Sequence, residues 1–305
     1  MPPHPPEHSH EQSHTHAHAY SLQTFDRAMA LGVSLNGAFV IAEITAGMLA
    51  GSLSLVADAG HNAGDVIGLL LAWGANWLAR RPPTPRYTWG LRRSTIYAAI
   101  ANATLLLTAC GVILWEAFHR LWAPEPVGGI VVIVVAAIGV AINTLTAMLF
   151  MRGSKHDANI RGAYLHMAAD AAVSAGVVLA GLLIAATGLD WIDPVVSIAI
   201  TLAIIASTWG LFRESIDLAF DAVPKGIDPE SVRSLLSGIP GVADVHDMHI
   251  WNASTSEISL TVHLVVPDIE RHESVLLQSL QELRSHCGVA HTTIQIECSH
   301  AHCTC

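Results

Sequence analysis

The sequence predicts a multi-pass α-helical membrane protein that carries a small soluble α+β domain near its carboxyl end. Three observations predict this class: 52% of the 305 residues are hydrophobic, only 13% are charged, and the mean hydropathy is +0.46. Soluble domains carry about 25% charged residues, so this chain has roughly half the usual proportion. The same composition excludes a disordered chain and a disulfide-stapled secreted domain.

Six apolar segments are long enough to cross a membrane. A helix needs about 20 residues to span ~30 Å of hydrocarbon, and each segment reaches that length. Short polar or Gly- and Pro-containing breaks separate the segments. The predicted spans are residues 29–50, 53–78, 94–117, 127–150, 160–187 and 193–212.

The basic residues predict the orientation of the spans. Loops rich in Lys and Arg remain in the cytoplasm. The loop between spans two and three carries four arginines, Arg80, Arg81, Arg86 and Arg92, whereas the opposite side carries only Arg120. We therefore expect both termini to be cytoplasmic and the protein to lie in the cell membrane (inner or plasma membrane).

Beyond residue 215 the composition becomes that of a soluble domain. Its predicted helices cover 228–236 and 273–285, and its predicted strands cover 242–251, 256–266 and 292–297. The order α-β-β-α-β predicts a ferredoxin-like sandwich with helices on one face of the sheet. The predicted units are a His-rich tail (1–20), a membrane domain (21–215), a cytoplasmic domain (216–297) and a Cys/His-rich tail (298–305).

The charge balance and the two tails bear on the partners. A formal charge of -10 argues against a nucleic-acid partner, because phosphate binding requires a basic surface. Six of the 18 histidines lie within the first 18 residues, where they either capture Zn²⁺ near the membrane or form a low-affinity buffer. The carboxyl tail is expected to bind soft metal ions through Cys298, His300, His302, Cys303 and Cys305.

Two spans contain ionisable side chains at bilayer depth, where such groups are costly and mark functional sites. Span two contains His61 and Asp65, and span five contains His166 and Asp170. The i,i+4 spacing places both groups of each pair on one helix face, about 6 Å apart. The two spans run in opposite directions, so side-by-side packing would set each His across from the Asp of the other helix.

Two imidazoles and two carboxylates form a closed four-coordinate set that suits tetrahedral Zn²⁺. The two carboxylates also neutralise the charge of the ion in a low-dielectric environment. The alternative is that the four residues are polar pairs that hold helices together. Two identical pairs favour the metal site.

Two further carboxylates lie within the spans. Asp58 is one turn from His61, and three roles remain open: it orients that imidazole, lines an exit path, or is solvated. Glu43 is isolated in span one and is interpreted as a proton carrier or a group lining the pathway.

Residues 52–65 (SLSLVADAGHNAGD) and 166–170 (HMAAD) resemble the second- and fifth-helix signatures of the cation diffusion facilitator family, most closely its bacterial zinc exporters. Residues 87–90 (YTWG), 245–251 (VHDMHIW) and 291–297 (HTTIQIE) also match. The resemblance covers roughly residues 20–297. It implies a homodimeric antiporter that exports Zn²⁺ in exchange for H⁺, with one site per protomer on helices two and five and a dimer formed through the cytoplasmic domains and the membrane helices.

The resemblance also implies a salt link between the membrane helices and the cytoplasmic domain, where Arg93 and Asp221 occupy comparable positions and Arg92 and Asp217 compete for the same roles. The chain departs from the family at Thr95, where many members carry Glu. The loop 80–92 contains no His or Cys, so a loop zinc site is not expected.

Metal-binding side chains recur in the cytoplasmic domain. Strand alternation places His249, His263, His291 and Glu297 on the polar sheet face, which is either a metal site or an ordinary solvated surface. The resemblance adds His246, in a region where the family often binds regulatory zinc. Strict alternation puts His246 and His249 on opposite faces, so we expect only one of them in the site.

Proton antiport follows from the ligands, because imidazole and carboxylate groups must lose their protons to bind metal. Other interpretations of the membrane site are the same transporter with Cd²⁺, Co²⁺ or Ni²⁺ as cargo, and a membrane-bound zinc sensor without transport. An intramembrane zinc enzyme is disfavoured, since it requires an open coordination position and a general base.

Overall fold

The computed structural model describes residues 34, 36–151 and 158–299. Its first part is a helical bundle and its second part is a small α+β domain. The bundle contains α1 (Asn36–Ala50), α2 (Leu53–Ala79), α3 (Ser94–Trp122), α4 (Gly129–Met151), α5 (Ala158–Thr187) and α6 (Ile192–Ala219). This arrangement confirms the predicted membrane-helix bundle.

Within the described residues, stretches of α3, α4, α5 and α6 are long and apolar enough to cross a membrane. Helix α2 has 27 residues but is not among these four, because polar groups such as Asp58, His61 and Asp65 interrupt its apolar sequence. Helices α3 and α6 continue beyond the predicted ends at 117 and 212.

A two-residue corner joins α1 to α2. Gly51 has a φ of +66°, and a Cβ there would lie 2.8 Å from the carbonyl oxygen of Pro126, so glycine is required twice over. Ser52 caps α2, since its Oγ accepts a hydrogen bond from the Leu55 amide at 3.2 Å. The corner therefore fixes where α2 begins.

The helices pack in a defined order: α4 along α5, α3 along α6, and α2 against α3 and α6. Helices α4 and α5 approach closely at Gly129 and Gly181, where a Cβ on Gly181 would lie 3.2 Å from the Gly129 carbonyl oxygen. Exposed tryptophans near the ends of helices, such as Trp77 on α2 and Trp122 on α3, are typical of membrane-interface belts.

The second part contains α7 (Pro229–Ser237), β1 (Asp244–Asn252), β2 (Ile258–Val265), α8 (His272–Cys287) and β3 (His291–Glu297). The sheet order is β1-β2-β3, with β1 and β2 antiparallel and β2 and β3 parallel. One sheet face is buried against the helices around Leu236, Leu260, Leu264 and Leu283. The α-β-β-α-β prediction is confirmed.

Strand β1 contains a bulge that the sequence analysis missed. His246 pairs with His263 and His249 pairs with Thr261, so two residues of β1 lie opposite Val262 alone. Residues 261 and 263 share one sheet face, and cross-strand partners lie on the same face. The expectation that His246 and His249 lie on opposite faces is therefore wrong, because the extra residue restores them to one face.

Candidate metal centres

The four intramembrane side chains meet between α2 and α5. His61 Nε2 lies 3.1 Å from Asp170 Oδ1, and His166 Nε2 lies 3.2 Å from Asp65 Oδ2. Within each helix, the His61–Asp65 and His166–Asp170 distances are 3.9 and 3.7 Å. Each imidazole thus lies between two carboxylates, one from its own helix and one from the other.

These distances suit a tetrahedral ion. Ligand atoms about 2.0–2.2 Å from Zn²⁺ lie about 3.3–3.6 Å from one another, and the four His–Asp distances fall on both sides of that range. Ligand atoms of His61, His166 and Asp170 all lie within 4.8 Å of one another. Asp65 lies beside both imidazoles but outside this three-residue group.

Solvent reaches the cluster unevenly. The side chains of Asp65 and His166 are 31% and 45% exposed, whereas those of His61 and Asp170 are 16% and 3% exposed. Because α2 and α5 are antiparallel, the exposed pair lies toward the end of the bundle where α2 leads into α3, here called the α2–α3 end. The buried pair lies toward the opposite, α1–α2 end, so the cluster opens toward the α2–α3 end.

The other two predicted carboxylates lie beside the cluster, fully buried. Asp58 accepts a hydrogen bond from Ser174 Oγ at 2.7 Å, and Glu43 accepts one from Asn62 Nδ2 at 3.3 Å. A solvated Asp58 is therefore wrong. His61 Nδ1 has no hydrogen-bond partner among the described residues, so Asp58 does not orient that ring through a hydrogen bond.

Sequence reasoning missed Asp193, in the first turn of α6. Its carboxylate is fully buried and accepts hydrogen bonds from the first residues of α2. The sequence offered two signals: an acidic residue at the start of the apolar helix α6, and two serines, Ser52 and Ser54, at the start of α2. Each has common roles elsewhere, so only the tertiary structure joins them.

A second cluster lies on the polar face of the β1-β2-β3 sheet. His263 Nδ1 lies 3.1 Å from Glu297 Oε1, and His246 Nε2 lies 3.5 Å from Glu297 Oε2. Ligand atoms of the three residues lie within 4.8 Å of one another. Two imidazoles and a carboxylate at this spacing fit a borderline divalent ion such as Zn²⁺.

The remaining predicted residues of that domain lie at its margin. His249 Nε2 lies 2.9 Å from Asp247 Oδ1, and Asp247 has a φ of +46° at the bulge. His291 does not join the cluster; its ring lies 4.7 Å from that of Trp89. Of the predicted residues, only His246, His263 and Glu297 form the three-residue group, and His291 lies at the far end of β3 from Glu297.

Two ion pairs lie where the bundle meets the second domain; Asp221 directly follows the end of α6, and Glu257 directly precedes β2. Arg93 Nη2 lies 2.7 Å from Asp221 Oδ1, and Arg92 Nη1 lies 2.7 Å from Glu257 Oε2. Between them is a cleft of about 900 Å³ that Trp89 and Trp251 help to line. Arg92 thus pairs with Glu257 rather than competing for Asp221.

Parts of the predicted tails lie outside the described residues. Cys298 is described and exposed. His300, His302, Cys303 and Cys305, and the six histidines of the amino-terminal tail, are not described.

Comparison with known families agrees with the bundle and the sheet. The family model of the cation efflux transmembrane domain matches residues 29–218, and that of the cytoplasmic domain of cation efflux proteins matches residues 224–299. The chain therefore belongs to the cation efflux family, and the resemblance to the cation diffusion facilitators is confirmed.

Individual relatives match most of the chain. Zinc transporter ZitB of Escherichia coli (strain K12) is 35% identical over 90% of this chain and 88% of its own length. Metal cation efflux system protein CzcD of Cupriavidus metallidurans is 34% identical over 89% of this chain and 86% of its own length. The cadmium, cobalt and zinc/H(+)-K(+) antiporter of Bacillus subtilis (strain 168) is 34% identical over 85% of each chain.

Among solved structures, the metal-bound C-terminal domain of the CzcD transporter is 37% identical. The match covers 23% of this chain and 99% of that one, with a TM-score of 0.22.

Proposed function

We propose that this chain exports Zn²⁺ from the cytoplasm in exchange for protons, through a site formed by His61, Asp65, His166 and Asp170. The observation that carries the proposal is the set of crossed His–Asp contacts between α2 and α5, at 3.1 and 3.2 Å. Four N and O ligands at tetrahedral spacing satisfy Zn²⁺, and two carboxylates balance its charge inside the membrane.

The exposure of the site supports loading from the cytoplasm. We propose that the α2–α3 end, with its arginine-rich loop, faces the cytoplasm together with both termini. The exposed Asp65 and His166 then form the entrance to the site, and the buried His61 and Asp170 form its inner part. The described conformation is accordingly inward-facing.

Proton coupling follows from the ligand chemistry. An imidazole has an ordinary pKa of ~6.5, close to working pH, and metal can bind only to its neutral form. A site that loads Zn²⁺ on one side and meets protons on the other exchanges one for the other. The buried carboxylate Asp58 lies one turn from His61 toward the α1–α2 end, and Glu43 accepts a hydrogen bond from Asn62, the residue after His61. We assign both carboxylates to the release pathway.

The cytoplasmic domain has two proposed roles. It dimerises the protein, and its His246, His263 and Glu297 cluster holds a regulatory metal ion. The ion pair between Arg93 and Asp221 holds the segment that leads from α6 into that domain against the start of α3. The tails contribute capture or buffering of metal ions outside the transport step.

The relatives are named for different metal ions, so their names do not select one cargo for this chain. ZitB is named a zinc transporter, and the Bacillus subtilis protein is named for cadmium, cobalt and zinc. Ligand chemistry ranks divalent metals without selecting Zn²⁺ alone, so Cd²⁺, Co²⁺ and Ni²⁺ are competing cargoes. A sensor without transport is the alternative from another class.

The test is Zn²⁺ uptake into proteoliposomes under an imposed pH gradient, with wild type beside His61→Ala/Asp170→Ala. We expect gradient-dependent flux in the wild type and none in the double variant. Flux in neither protein, with zinc binding retained, would favour the sensor. Competition with Cd²⁺, Co²⁺ and Ni²⁺ in the same assay ranks the cargoes.

A further inference from the structure

Asp193 is a fully buried carboxylate whose hydrogen bonds join two helices. Its Oδ1 accepts from Ser52 Oγ and Ser54 Oγ, both at 2.6 Å, and from the Ser54 amide at 3.3 Å. Its Oδ2 accepts from the Leu53 amide at 2.6 Å. All four donors belong to the cap and first residues of α2.

The charge of Asp193 is balanced by α2 itself. The first amides of a helix lack internal acceptors and carry partial positive charge, so a carboxylate there is favourable. Among the described residues, no Lys or Arg forms an ion pair with Asp193. The carboxylate and the beginning of α2 therefore depend on each other for their polar contacts.

The position of α2 relative to α5 needs such an attachment. Helix α2 packs more extensively against α3 and α6 than against α5, although its two His–Asp cluster residues must meet those of α5. The depth and rotation of α2 are consequently set by its contacts with α3 and α6. A rotation of α2 by one residue, about 100°, would turn His61 and Asp65 away from α5.

We infer that Asp193 is a positioning residue that holds the beginning of α2 on α6 and thereby sets His61 and Asp65 opposite His166 and Asp170. This inference rests on the proposed metal site. His61 lies eight residues along α2 from Leu53, a rise of about 12 Å. Asp193 therefore acts on the site through α2 and does not touch the metal ion.

The test uses Co²⁺ as the probe in the full-length protein, because tetrahedral Co²⁺ has visible absorption bands that report ligand geometry. The membrane-site signal is the part of the Co²⁺ spectrum that His61→Ala/Asp170→Ala removes. In Asp193→Asn, one of the two accepting carboxylate oxygens is replaced by an NH₂ group, which cannot accept the hydrogen bonds from the start of α2. We expect that signal to shift and Co²⁺ affinity at the site to fall about tenfold, the lower end of the effect seen when a residue hydrogen-bonded directly to a metal ligand is lost.

Asp190→Asn is the matched control. Asp190 lies at the same end of the bundle and accepts a hydrogen bond from the Val127 amide, not from α2. We expect this variant to keep the wild-type signal. Ser54→Ala, which removes one donor to Asp193, should give a smaller shift in the same direction, and its effect should not add fully to that of Asp193→Asn.

Folded Asp193→Asn protein with wild-type Co²⁺ bands and affinity would overturn the inference. If Asp193→Asn does not fold, Ser54→Ala decides: an unchanged signal there overturns the inference, and a shifted signal supports it. A wild-type spectrum without any contribution dependent on His61 and Asp170 would instead overturn the proposed function. The two failures are therefore distinguishable.

Discussion

At the scale of single residues, the four side chains of the α2–α5 cluster have a spacing that suits a tetrahedral ion. Each imidazole already lies between two carboxylates, at 3.1 to 3.9 Å. A central ion would replace these contacts by ligand bonds with small side-chain movements.

Loss of one ligand should disable this site without disturbing the fold. We predict that Asp170→Ala abolishes Zn²⁺ transport, since three ligands with one carboxylate leave the ion under-coordinated and its charge unbalanced. Proteoliposome flux and size-exclusion chromatography measure the two properties. Glu125→Ala is the control, because Glu125 pairs with Arg120 away from the cluster. Transport by Asp170→Ala at near-normal affinity would contradict the four-ligand site.

The sequence allowed the four cluster residues to be grouped because helical spacing alone puts His61 with Asp65 and His166 with Asp170. Asp193 could not be found in the same way. Its contacts with α2 join residues some 140 positions apart, and neither helix alone shows that its end is buried against the other.

At the scale of elements, the helices could be predicted from local sequence, whereas the irregular strand β1 could not. Apolar runs predicted the helices, since a segment that lies in hydrocarbon must form its backbone hydrogen bonds internally, as a helix does. The bulge in β1 depends on pairing with β2, which no alternation within β1 reveals. Its consequence is chemical, because it brings His246 onto the same face as His249.

Helix α7 provides a pH-dependent test at this scale. Hydrogen bonds from Ser231 and Glu230 at the α7 cap hold the pKa of Asp228 below its usual value, the Ser231 hydroxyl contributing most. This cap therefore stabilises the fold above the ordinary pKa of Asp, and the contribution is lost as pH falls through the lowered pKa. We predict that thermal unfolding of Asp228→Asn lacks this part of the acid destabilisation.

Asn also caps helices, so Asp228→Asn separates charge from capping. Asp228→Ala, which lacks both the charge and the capping group, should be the least stable of the three proteins at neutral pH, with Asp228→Asn between it and the wild type. Equal acid sensitivity of wild type and Asp228→Asn would show that Asp228 has the same pKa in the unfolded chain.

At the scale of the whole molecule, exposed ion pairs lie where the bundle meets the second domain. Arg93 and Asp221 are both nearly half exposed, so the pair contributes about 0.2–1 kcal/mol to stability. Because this energy is small, we interpret the role of the pair as holding the segment after α6 in a fixed orientation relative to α3. We predict that Arg93→Asp reduces Zn²⁺ flux in proteoliposomes and that Arg93→Asp/Asp221→Arg restores it, because the reversed charges can pair again. Failure of the double variant to exceed the single one would contradict this role.

The amino-terminal histidines allow a second test on the whole molecule. We predict that deletion of residues 1–18 changes the apparent Zn²⁺ affinity of transport modestly and leaves the maximal flux intact, because the proposed transport ligands lie on α2 and α5. Flux measured over a range of Zn²⁺ concentrations separates the two quantities. Complete loss of flux would assign the tail a place in the transport step.

The end of β3 connects the second cluster directly to the carboxyl tail. Glu297 is the last residue of β3, and Cys298 follows it on the surface. The thiols and imidazoles of residues 298–305 are thus tethered within eight residues of a cluster ligand. Short tethers give effective concentrations of about a millimolar. Under the proposed function, transfer of an ion between tail and cluster is therefore intramolecular, with a rate that does not depend on how much of the protein the cell makes.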